Sequence, residues 1–94
     1  MKTVYKYNLA NKNFSNVCAI SAPKGAKFFH AGNQNENICI WAEVDTDNEM
    51  ADYQFEIFCT GQEIKVDMGI NRKYLYSVML SNSELVFHIY QRLN

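Results

Sequence analysis

The stretch Phe28–Val44, FFHAGNQNENICIWAEV, sets two apolar runs around a polar centre rich in Gly and Asn. In the second run Ile38, Ile40, Ala42 and Val44 fall on one face, and Asn37, Cys39, Trp41 and Glu43 on the other. Side chains alternate faces along a strand, so this is the period of a sheet with one fully apolar side. In the first run the same alternation groups Phe29 with Lys27 and Ala31, and Phe28 with His30. Between them Gly32-Asn33-Gln34-Asn35 offers residues that tolerate positive φ, which a tight reversal requires. The reading is a β-hairpin. A lone hairpin is marginal in water, so the remaining chain must cover it.

Working outward, the same period recurs. Thr3, Tyr5, Tyr7 and Leu9 oppose Lys2, Val4, Lys6 and Asn8. A polar turn is expected at Asn11–Ser15 and a strand at Asn16–Ala22. Ala22-Pro23-Lys24-Gly25 reads as a turn with Pro at its second position. Asp45–Asp52 is an acidic connection with room for one helical turn. Tyr53, Phe55, Ile57 and Cys59 alternate with Gln54, Glu56 and Phe58, and Thr60-Gly61 ends that run. Residues 61–71 read as a loop whose Ile64, Val66, Met68 and Ile70 turn inward. Arg72–Leu80 and Glu84–Tyr90 are two more strands around a turn at Ser81-Asn82-Ser83. No segment holds a helical period over three turns. The expectation is one domain over residues 1–94, all-β or a β-rich α+β fold, built as a small antiparallel sandwich or barrel of about seven short strands.

Composition narrows the function classes. The chain has 94 residues, 48% of them hydrophobic and 14% aromatic, enough for a thin globular core and too apolar for a disordered chain. No apolar run approaches the ~20 residues of a membrane span, and the alternating start Met1–Tyr7 is unlike a signal peptide. Cys18, Cys39 and Cys59 are odd in number, widely spaced and set in apolar runs, which predicts reduced, buried thiols and a cytoplasmic protein. Net charge is −1, yet unevenly spread: residues 1–31 carry five lysines and no acid, and residues 32–64 carry eight acids and no base. Oppositely charged segments of this kind pair across neighbouring strands or form separate faces.

Several site patterns fail on inspection. Asp45, Asp47, Glu49 and Glu56 have calcium-loop spacing, but Met50 stands where that loop turns on Gly and no helices flank it. His30, His88 and the cysteines contain no close pair to anchor zinc or to activate a thiol. No metal, no cofactor and no catalytic residue is expected. What remains is a set of rings interleaved with cations: Tyr5-Lys6-Tyr7, Lys27-Phe28-Phe29-His30 and Arg72-Lys73-Tyr74-Leu75-Tyr76. Rings beside cations suit a nucleobase and its phosphates. The net charge of −1 argues against long nucleic acid but leaves a small anionic nucleotide open. The candidate binding residues are Lys24, Lys27, His30, Trp41, Arg72 and Lys73.

The segments KTVYKY (2–7), PKGAKFFHAGNQNENICIWAEVD (23–45), FCTG (58–61) and LVFHIY (85–90) resemble a small domain of unknown function found in phages and bacterial genomes. The resemblance spans nearly the whole chain and implies a phage setting, with the host cytoplasm as location, but brings no established activity. The functional expectation is therefore a non-catalytic binding protein that inhibits a host anti-phage process. It would do so by occupying a host protein or by sequestering a small nucleotide signal, as a homo-oligomer with no membrane association. A phage structural or assembly protein is the alternative, and a small enzyme comes third.

Overall fold

A computed structural model of the chain describes residues 1–9, 17–64, 69–82 and 84–93. Its strands are β1 (Lys2–Asn8), β2 (Val17–Pro23), β3 (Lys27–Gln34), β4 (Asn37–Asp45), β5 (Met50–Cys59), β6 (Arg72–Leu80) and β7 (Leu85–Arg92). One sheet has the order β1-β4-β3 and the other β2-β5-β7-β6, with every pairing antiparallel. The fold is a two-sheet β sandwich, not a closed barrel. The turn expected at Asn11–Ser15, Val66 and Met68 of the loop expected to pack inward, and Ser83 lie outside the described residues, while Ile64 of that loop is exposed.

The inner faces are those the alternation marks. Ile40 and Ala42 are fully buried, and Val44 nearly so, facing Phe55, Ile57, Val78 and Ile89 of the second sheet. Phe28 is the hinge of this core. Its ring lies 4.8 Å from Phe55, 5.2 Å from Tyr53 and 6.2 Å from Tyr7, meeting the first two edge-to-face, the arrangement that aromatic quadrupoles favour.

Four details depart from the alternation. A β-bulge between Phe28 and His30 resets the first arm. Phe28 and Ala31 are buried together while Phe29 is exposed, and His30 pairs with Trp41 on the outer face. A bulge inserts one residue and so reverses the phase of everything beyond it. The hairpin turn is also two residues later than Gly32 suggests. Asn35 and Glu36 occupy it, with φ of 53° and 63°, and Gly32 sits inside β3. The turn before β3 is Pro23–Ala26, where Ala26 N–H donates to the Pro23 carbonyl and Gly25 takes φ 87°, so Pro23 begins that turn. Finally, β5 starts at Met50 and leaves only Thr46–Glu49 between strands, with no helical turn.

All three cysteines are free. Cys18 and Cys39 are buried, whereas Cys59, at the end of β5, is exposed. Burial pushes the Cys18 thiol pKa up. Among the described residues no helix is long and apolar enough to cross a membrane.

β3 and β6 bring the two sheets together along one side. His30 meets Tyr76 at 4.7 Å between rings, and Asn33 Nδ2 donates to the Met79 carbonyl at 3.0 Å. These contacts align the two strands in the same direction, with no backbone ladder between them. At their far ends Ser81 N–H donates to Glu36 Oε2, and Asn33 Nδ2 to Glu36 Oε1. The two hairpin tips are thereby latched through one carboxylate.

Candidate binding surface

The outer face of the first sheet carries a cross-strand row. Lys6 of β1 pairs with Trp41 of β4, which pairs with His30 of β3. Tyr76 of β6 extends the row across the seam. The Trp41 and His30 rings are 5.5 Å apart and tilted by 39°. Trp41 and His30 are half-buried and Tyr76 is 49% exposed, so part of each ring is open to solvent. Lys6 Nζ donates to Gln34 Oε1 in front of the row, and Cys39 lies buried nearby on the same face.

Gly32 makes this row possible. A Cβ there would stand 3.2 Å from His30 Nε2 and 3.5 Å from Trp41 Cζ3. The glycine is needed for the close approach of two rings and not for a turn.

Beside the row, at the leading end of β3, Lys2, Lys24 and Lys27 line a cleft of about 170 Å³ with Glu43, Asp45 and Asn48. The acids here have partners. The N-terminal ammonium bonds Asp47 at 2.8 Å and Asp45 at 3.1 Å, which raises its own pKa. The Asp47 backbone N–H, followed by that ammonium, holds the Asp45 carboxyl below its usual range. Lys24 Nζ is 3.9 Å from Glu49, and Lys27 stands opposite Glu43. Much of the acidic middle segment therefore faces the basic N-terminal segment across neighbouring strands.

Arg72 serves a different purpose from the one its sequence neighbours suggest. Its Nε and Nη2 donate to Glu56 at 2.5 and 3.2 Å, on the outer face of the second sheet. Arg92 Nη2 donates to the same carboxylate at 3.4 Å, and its Nε lies 3.2 Å away. Glu56 is only 3% exposed. Burial alone would raise its pKa, but hydrogen bonds from Arg72 and then Arg92 outweigh that and hold it low. This assembles part of the failed calcium pattern for another use: Glu56 is the hub of an arginine cluster. Lys73 is exposed at the start of β6.

The six candidates thus divide. Lys27, His30 and Trp41 share the outer face of the first sheet, with Lys24 in the turn beside Lys27, whereas Arg72 is tied into the second sheet and Lys73 stands on its edge. The sequence reading missed Tyr76 as the third ring of the row, because only the β3–β6 seam joins it to His30. It also missed a chain of hydroxyls around His88. Ser77 Oγ contacts Nδ1 and Thr60 Oγ1 contacts Nε2, both at 2.8 Å, and Tyr74 OH contacts Ser77 Oγ at 2.7 Å. A serine beside an imidazole suggests nucleophile activation, but the far nitrogen meets a hydroxyl where a triad has a carboxylate. Among the described residues no group of three potential ligands is placed to hold a metal ion.

These features define a small β sandwich with an aromatic row and a lysine-lined cleft on one outer face. Over residues 1–94 the chain matches the family model described as Domain of unknown function (DUF7352), and it belongs to that family. No curated protein and no solved structure matches it.

Proposed function

We propose that this domain is a non-catalytic binding protein that acts by occupying a protein partner. In the phage-type setting its sequence resembles, that partner is a host protein of an anti-phage process. The observation that carries the reading is the open row Trp41–His30–Tyr76 beside exposed Phe29 and the lysine-lined cleft. Rings held in place by their neighbours, with cations at the rim, are the usual anchors of protein recognition.

Lys2, Lys24 and Lys27 favour a second reading, in which a small anionic nucleotide is sequestered. Their cleft is smaller than the roughly 300–1,000 Å³ of typical ligand pockets, so an occupied protein is the better account. The test uses Lys27→Glu with His30→Ala, two changes outside the core. Tagged wild-type protein should retain a host protein from lysate and the variant should lose it, with unchanged circular dichroism. Equal retention by both would overturn the protein-partner reading. A nucleotide that raises the wild-type melting temperature, and does so less in the variant, would establish the second reading instead.

A further inference from the structure

We propose that the exposed strip along the β6 edge is a contact between two copies of this chain, related by a two-fold axis. This goes beyond the partner face described above and borders it along the β3–β6 seam, where Tyr76 is common to both. Tyr74, Tyr76 and Met79 are 51, 49 and 54% exposed, and with Gly32 and Asn33 they line one shallow groove. Apolar side chains grouped in this way on a small domain mark a contact surface.

Two features exclude an added strand as the occupant. The Met79 carbonyl already accepts from Asn33 Nδ2, and β6 is bulged between Tyr74 and Tyr76. A bulge breaks the regular edge that strand addition needs. The contact is therefore through side chains.

Charge at the ends of the strip selects a second copy. Lys27 and Lys73 stand where β3 and β6 begin, and Glu36 and Glu84 stand in the turns where the two strands finish. Neither Lys73 nor Glu84 has an ion-pair partner among the described residues. The strip is about 25 Å long at roughly 3.3 Å per residue. A strip that is positive at one end and negative at the other is complementary to itself when turned end for end, as a two-fold interface requires. Lys73 then meets Glu84 of the second copy, twice over. A single strand-length strip is short for an interface, so the dimer is weak and concentration-dependent.

Sedimentation velocity over a concentration series tests this. Wild-type protein should shift from monomer to dimer as concentration rises. Met79→Glu should remain monomeric while keeping the wild-type circular dichroism spectrum. Lys73→Glu alone should weaken the dimer about tenfold, because the repulsion is counted twice, and adding Glu84→Lys should restore it. The proposal is overturned if wild-type protein stays monomeric throughout, if Met79→Glu leaves the dimer intact, or if the double charge swap fails to restore it.

Discussion

Ile40 and Glu56 show two ways a strand residue becomes buried here. Ile40 is fully buried by the period of β4, and Ile40→Ala should cost about 2–4 kcal/mol, the usual scale for an emptied core site. Urea unfolding measures this, and a loss below about 0.5 kcal/mol would contradict the placement of that face. Glu56 is buried by its partners. Its folded-state pKa is depressed, so its contribution is full above the unfolded carboxyl value of about 4.3 and is lost as pH falls through the lower folded value. Glu56→Gln should therefore be less stable than wild type near neutral pH, by about 1–3 kcal/mol. The gap should close as the pH is taken below about 4. A gap independent of pH would mean that Arg72 and Arg92 do not stabilise the charged form. The burial of Ile40 was legible in the sequence because the signal is local. That of Glu56 was not, because its arginines lie 16 and 36 residues away and meet it only across β7 and β6.

At the scale of elements, the hairpin shows where alternation is reliable. The second arm holds one phase from Asn37 to Asp45, and its inner face is the one the sequence marks. The first arm changes phase at the bulge, and Phe28-Phe29 is a pair of identical residues that gives no sign of which one turns inward. Gly32 misled for a physical reason: glycine serves both positive φ and close approach, and sequence alone does not separate them. The actual turn uses Asn35 and Glu36, and the glycine makes room for His30 against Trp41. Gly32→Ala should displace the imidazole, costing on the order of 1 kcal/mol and changing the Trp41 emission spectrum. Unchanged emission and stability would show that the ring contact does not depend on the missing Cβ. The lysine-rich N-terminal strands and the acidic middle were legible as segments. Their pairing across β1, β4 and β3 needed the register.

At the scale of the molecule, strand order decides which candidates can act together. Consecutive β3 and β4 keep Lys27, His30 and Trp41 on one face. The step from β5 to β7, with β6 outermost, carries Arg72 to the other sheet and delivers Tyr76 to the seam. This also changes how the basic surface is probed: Arg72→Glu would break the Glu56 cluster and report on stability, whereas Lys27→Glu and His30→Ala address the outer face. The central claim is that this face, and not simply any exposed apolar residue, meets the partner. Val4 and Phe29 lie on or beside it and are 52 and 58% exposed. Met50 and Leu85 lie elsewhere with similar exposure, 59 and 48%. The direct measurement is photo-crosslinking in the host cell with p-benzoylphenylalanine placed at each of these four positions in turn. The account predicts a cross-linked host protein from positions 4 and 29 and none from positions 50 and 85; cross-links only from 50 or 85, or from none of the four, would contradict it.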